Sequence, residues 1–214
     1  QQTAVAMENL QLIEARQEEA YVTAVMLQVA QTVVNQKDLE DILDTIVHLM
    51  PILVGIDTCV IYLWDSNQSA FRTAKVFTGS QKEDLLLEGE TFQPGEFPML
   101  DAVRERDQLV ACKVTETDFS VDDWTELTCL LPEDEIERHY TVDAEWILGV
   151  PLSVKGEVFG VLMAKEANVP ANLHERRLEI LTGVAQQVSL AIQNEHLNRD
   201  MVQQARLARE IQLA

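Results

Sequence analysis

The sequence has no apolar run approaching the ~18 residues needed to cross a bilayer. Its longest, Ile147 to Val154, is interrupted by Gly149, Pro151 and Ser153. No secretory leader is expected among the residues of this sequence. Basic residues are scarce: 16 Lys and Arg stand against 36 Asp and Glu, a net charge of -20. That balance argues against nucleic acid or an anionic membrane as partner, since both need clustered Lys and Arg. The 3 cysteines are odd in number and widely spaced, with no Cys-x-x-Cys, so neither a zinc ribbon nor a thioredoxin-like pair is encoded. Reduced thiols in a cytoplasmic protein are the expectation.

What is present starts with helices. Residues Thr3 to Asn35 contain neither Gly nor Pro. Ala6, Leu10, Ile13, Gln17, Ala20, Ala24, Leu27, Gln31 and Val34 recur at alternating spacings of four and three. That is a heptad seam, the pattern that pairs helices in a coiled coil or bundle, with two glutamines to weaken it and fix its register. The other reading of these residues is an amphipathic helix packed on its own domain. The C-terminal stretch repeats the pattern at Leu190, Asn194, Leu197, Met201, Gln204, Ala208 and Ile211. The first residue is not Met, and "LAREIQLA" ends the chain without a capping signal. Both ends are expected to be connecting helices of a longer polypeptide.

Between the seams the pattern turns mixed. Asp38 is a plausible N-cap for "LEDILDTIVHLM", whose face is Leu39, Ile42, Leu43, Ile46 and Leu49, punctuated by Pro51 and Gly55. "DTCVIYLWD" and "AFRTAKVFTG", separated by Asp65, Ser66 and Asn67, read as a strand pair. Alternation places Val60, Tyr62 and Trp64 on one sheet face and Cys59, Ile61 and Leu63 on the other. "SQKEDLLL" and "MLDAVRERDQ" read as short helices, the second leading into "LVAC". "WILGVPLSVKGEVFGVLMAK" reads as a hairpin turning at Lys155-Gly156, with Gly160 marking close backbone approach and Pro151 demanding an edge or bulge. From Glu116 to Glu145 acidic residues dominate, without the Asp-x-Asp-x-Asp-Gly spacing of a calcium loop. A solvated acidic excursion is the expectation.

"LEDILDTIVHLMPILVGIDTCVIYLWD", "AEWILGVPLSVKGEVFGVLMAKEAN" and "RLEILTGVAQQVSLAIQNEHL" together resemble a GAF domain. The resemblance implies an α+β fold: a central antiparallel sheet with terminal helices on one face and variable loops and short helices on the other, extended by long coiled-coil helices at both ends. It divides the chain into an N-terminal signalling helix (1–36), a GAF domain (37–198) and a linker helix (199–214). "RLAREIQLA" resembles the segment joining sensory domains to SpoIIE-like metal-dependent serine/threonine phosphatases, which implies a covalently linked output domain.

The resemblance also points to a ligand site. "AKVFTG" is similar to a strand end where Phe stacks on a bound base, making Phe77 and Thr78 pocket candidates beside Val60, Tyr62 and Trp64. Phe77 filling space under the loops is the competing reading. The Asn-Lys…Phe…Asp-Glu signature of cyclic-nucleotide binders is not matched by "AKEANVPANLHERRLE". Bilin-binding relatives use Cys-His, whereas Cys129 precedes Leu130, and His139 lies in the most acidic part of the chain, an unsuitable haem ligand. The cofactor is therefore unknown. A methionine sulfoxide reductase is a further alternative, but Cys129 sits among carboxylates and Cys59 in a buried strand, neither suited to a reactive thiolate. The expected protein is a cytoplasmic, non-enzymatic, homodimeric sensory module passing a small-molecule input to its output domain; the alternative is a ligand-free dimerising spacer.

Overall fold

The structure is a computed structural model, and it describes residues 16, 20–31, 38–79, 87–114, 128–130, 145–166 and 174–212. Residues 20–31 form helix α1. Helix α2 (Leu39–Val54) follows, then strands β1 (Thr58–Asp65), β2 (Ala70–Phe77) and β3 (Thr91–Phe92). Helix α3 (Pro98–Arg106) leads into β4 (Val110–Val114). Strands β5 (Thr128–Leu130), β6 (Glu145–Val154) and β7 (Glu157–Glu166) complete the sheet, and helix α4 (His174–Gln212) closes the chain. The seven strands lie in the order β3-β2-β1-β7-β6-β4-β5, and all their pairings are antiparallel.

Local chemistry sets the boundaries. The Asp38 carboxylate accepts from the Glu40 amide at 3.2 Å, capping α2 as the sequence predicts. Gly55, at φ 72°, ends it by donating to the Pro51 carbonyl at 2.9 Å. The buried face of α2 is Ile42, Leu43, Ile46, Val47, Met50 and Val54; the predicted Leu39 and Leu49 are only half-buried. At the β6–β7 turn Lys155 and Gly156 have φ of 54° and 83°, the pair of positive values a tight hairpin requires. Residues 80–86 of the predicted helix at "SQKEDLLL" and most of the acidic segment lie outside the described residues.

Two cores result, one on each side of the sheet. The first lies under α1, α2 and α4, and includes Val25, Val29, Ile46, Ile61, Leu162, Leu181, Val184 and Val188. The second, on the opposite side, includes Val60, Tyr62, Phe97, Met99, Val103, Ile147 and Met163, with α3 lying over it. Helix α1 contributes Val22, Val25 and Val29 to the first core. The Tyr21 hydroxyl donates to the Leu53 carbonyl at 3.1 Å, and the Arg176 guanidinium lies 3.7 Å over the Tyr21 ring. Met26 reaches α4 at Gly183, where a Cβ would collide with its sulfur at 2.6 Å. Tyr21 faces Arg176 and Met26 faces Gly183, so α1 and α4 run side by side in the same direction.

Pro151 pairs with Val161 of β7, whereas the β4 pairing stops at Gly149. The missing donor of Pro151 is thus placed where β6 has a neighbour on one side only. Of the glycines, Gly160 is the most closely enclosed. A Cβ there would overlap the Tyr62 carbonyl oxygen and press on Leu63 Cα at 3.3 Å. Both obstacles are backbone, and neither can rotate away. Gly160→Ala should therefore cost about 1–3 kcal/mol of stability, read as a lower urea midpoint; an unchanged midpoint would show that β1 can move.

Candidate functional site

The sheet face away from α1, α2 and α4 carries the aromatic cluster. Along β1, Val60, Tyr62 and Trp64 face this side, and Cys59, Ile61 and Leu63 face the helices, the division that alternation predicts. Tyr62 is the centre. Its ring meets Phe92 and Phe97 edge-on, with centroids 5.7 and 5.8 Å away, and Phe92 and Phe97 lie 5.8 Å from each other. Such edge-to-face rings add modest energy beyond their buried area. The Tyr62 hydroxyl donates to Met163 Sδ at 3.9 Å, a weak acceptor. Burial pushes its phenol well above the ordinary range, and the Glu90 carboxylate adds to the effect.

Trp64 stands nearer the surface. Its ring meets Phe71 at 5.0 Å, and the Arg104 guanidinium stacks 3.6 Å above it. Two open grooves border it. One, of about 360 Å³, is lined by Ser66, Arg104 and Glu105 and by the Gly156–Val158 end of the β6–β7 hairpin. The other, of about 350 Å³, lies between the β1–β2 hairpin and α4 and is lined by Asp65, Arg72, Phe159, Ile192, His196 and Arg199. Tyr62 and the inner face of α3 belong to one buried cluster. Met99, Leu100 and Val103 are fully buried or nearly so. A Cβ at Gly149 would meet Val103 Cγ2 at 2.9 Å and Met99 Sδ at 3.2 Å, so the absent side chain is what lets α3 sit this low on β6.

Phe77 is a correction. It lies on the helix side of the sheet, opposite Cys59 in the register, with its ring edge-on to His48 of α2 at 5.4 Å. The cause is a bulge. Ile61 pairs with Lys75 but Tyr62 pairs with Thr73, so Ala74 is an extra residue in β2. Strict alternation from Phe71 would put Phe77 on the same face as Phe71; one inserted residue turns it to the other. Thr78 follows β2 and is half-buried. The structure thus brings Val60, Tyr62 and Trp64 together and separates Phe77 from them. Phe92, Phe97, Met163 and Arg104 join the cluster without having been foreseen. Phe97-Pro98, a helix start with Pro at the first position, was their one local signal.

An antiparallel sheet with its terminal helices on one face and a short helix over the other defines an α+β domain. Residues 36–193 match the GAF domain family, and the chain belongs to that family, one typical of sensory signalling modules. Among solved structures it is similar to the GAF domain of A. aeolicus nlh2 in an inactive state, at 14% identity and a TM-score of 0.60, covering 83% of this chain and 99% of that one. It is similar to the GAF domain of a putative sensor histidine kinase from Pseudomonas syringae pv. tomato, at 14% identity and a TM-score of 0.55, covering 90% and 99%. It is also similar to free methionine-R-sulfoxide reductase from Neisseria meningitidis in complex with its substrate, at 15% identity and a TM-score of 0.54, covering 83% and 91%. At these identities the likeness is one of fold. No curated protein sequence matches the chain. Among the described residues no helix is long and apolar enough to cross a membrane.

Two buried acids make the fold pH-sensitive. Cys59 is fully buried, and desolvation pushes its thiol well above the ordinary range, as it does the Tyr62 phenol. Both are held neutral in the folded chain, so the unfolded chain gives up these protons first. Their stabilising effect is whole below the unfolded values, about 8.5 for a thiol and 10 for a phenol, and is lost as pH rises through them. Each group should contribute a fall of roughly 1.4 kcal/mol per pH unit. Urea titrations under reducing conditions should show Cys59→Ala losing the part that begins near pH ~8.5 and Tyr62→Phe the part that begins near pH ~10. Curves parallel to the parent would contradict this.

Proposed function

We propose that this GAF domain is the regulatory module of a larger signalling protein, that it pairs with a second copy through α1 and α4, and that it passes an input to an output domain joined to α4. One observation carries the reading: each terminal helix has two apolar sides, and its own domain uses one. On α1, Val22, Val25 and Val29 are buried, while the seam positions Ala20, Ala24, Leu27 and Gln31 are exposed. On α4, Ile180, Leu181, Val184, Val188 and Ile192 are buried, while Leu190, Asn194, Leu197, Met201 and Gln204 are exposed. Leu27 and Leu197 keep 59% and 54% of their surface open to water, which is costly for a lone chain.

A second copy is the occupant that fits. The exposed seam positions follow heptad spacing on two helices running in the same direction, the geometry that a matching pair of helices fills. None of these seam residues is charged. Two copies can therefore meet there despite a net charge of -20 on each. A small-molecule input over Val60, Tyr62 and Trp64 would act by favouring one helix arrangement over another. The output we assign is a SpoIIE-like serine/threonine phosphatase, on the resemblance of "RLAREIQLA", and the coding sequence after Ala214 tests it directly. In this reading the chain is regulatory and catalyses nothing itself; the buried, proton-retaining Cys59 suits that role.

A ligand-free dimerising spacer is the second reading, and the burial of Tyr62 in one cluster with Met99, Leu100 and Val103 favours it. A metabolite screen separates the two: a raised melting temperature with one compound class supports the sensor, and no shift across the screen supports the spacer. For the dimer, Leu27→Lys with Leu197→Lys places charges on exposed positions, which leaves the fold intact. Sedimentation at tens of micromolar, roughly the weak end of specific association, should find the parent dimeric and the double variant monomeric. A monomeric parent would sink the pairing.

A further inference from the structure

Three cysteines permit three pairings, and the strand order admits one. Cys59 lies in β1, with Phe77 and Ala164 as its register partners, and is buried in the helix-side core. Cys112 lies in β4 and Cys129 in β5, and the antiparallel register sets these two residues directly opposite each other. The next residue along the same row is Ile147 of β6, a member of the opposite core. Register partners share a face of a sheet, so positions 112 and 129 lie on the α3 side and Cys59 on the other. Directly opposed residues in an antiparallel pair have Cα atoms about 4.5 or 5.5 Å apart. Both values fall within the roughly 4.4–6.8 Å that a disulfide spans.

We propose that Cys112 and Cys129 are a peroxide-sensitive pair whose disulfide clasps β5 to the edge of the sheet. Strand β5 is three residues long and ends the strand order, with β4 as its single neighbour. A strand this short gains little from its ladder alone. A covalent link there closes residues 113–128 into a loop and removes chain entropy that no hydrogen bond in the strand can remove. The inference stands apart from the ligand and helix-pairing readings, because its input is oxidation and its site is the far edge from β1.

The chemistry balances with hydrogen peroxide as the oxidant. Cys112, next in sequence to Lys113 and outside the carboxylates around Cys129, supplies the thiolate that attacks the peroxide, forming an S–O bond as the O–O bond breaks; the departing hydroxide takes up a proton as water and leaves a sulfenic acid. The second thiolate attacks that sulfur, the S–S bond forms and the S–O bond breaks, and the hydroxide leaves as a second water after protonation. Two thiols lose two electrons, and one peroxide becomes two waters. A dithiol reverses the step by thiol–disulfide exchange, being oxidised in turn.

The test uses the whole chain. Trypsin cuts after Arg106, Lys113 and Arg138, which places Cys112 in peptide 107–113 and Cys129 in peptide 114–138. After hydrogen peroxide treatment and digestion without reductant, these two peptides should run as one species about 2 Da lighter than their sum. Dithiothreitol should separate them. Cys59→Ala should keep the link, and Cys112→Ser and Cys129→Ser should each lose it. Amide exchange at residues 128–130 should slow by about tenfold or more in the oxidised chain and recover on reduction. Peptides that stay separate and carry sulfinic acid would overturn the proposal, and so would a link found between two copies on a non-reducing gel. An unchanged exchange rate with the link formed would overturn the clasp.

Discussion

The structure depends on three neighbouring strands being covered on both faces. β1, β7 and β6 occupy the middle of the sheet, and consecutive residues along each belong to different cores. Ile61, Leu148 and Leu162 go to the helix side, and Val60, Ile147 and Val161 to the other. Such strands have no solvent face that could absorb a slip in register. A shift by one residue would exchange the two cores. Every other element is placed by this requirement: α1, α2 and α4 seal one side, and α3 with the phenylalanines seals the other.

That double demand explains the glycines that matter. Gly160 allows β7 to approach β1 at the Tyr62 carbonyl, and Gly149 allows α3 to settle onto β6. Gly183 does the same for α1 against α4. Each is a place where two elements meet more closely than a side chain would permit. The absent Cβ therefore serves packing between elements, quite apart from any turn.

Much of this was legible in local pattern. The Asp38 cap, the Lys155-Gly156 turn, the close approach at Gly160 and the two faces of β1 each rest on chemistry within a few residues, where sequence speaks directly. Phe77 was misplaced because a bulge at Ala74 leaves no mark in composition; it exists only in the pairing with β1. The heptads of α1 marked one side of the helix, but Val22, Val25 and Val29 show that the domain itself takes the other. The packed-helix reading of that stretch holds for this face. The meeting of positions 112 and 129 was beyond any local rule, since it depends on which strands become neighbours across the acidic segment.

Helix α4 has a mechanical consequence of its own. Its buried face ends near Ile192, and the helix runs on without a break to Gln212. At ~1.5 Å per residue the part beyond Ile192 is a rod of roughly 30 Å. The anchored part lies against β6, with smaller contact to β7. A tilt of roughly 5° at that anchorage moves the far tip by about 2.5 Å, within the scale of helix shifts that switch packed interfaces. A rearrangement too slight to open a cavity in either core would thus arrive at the end of the rod as a displacement comparable to the spacing between interlocking side chains.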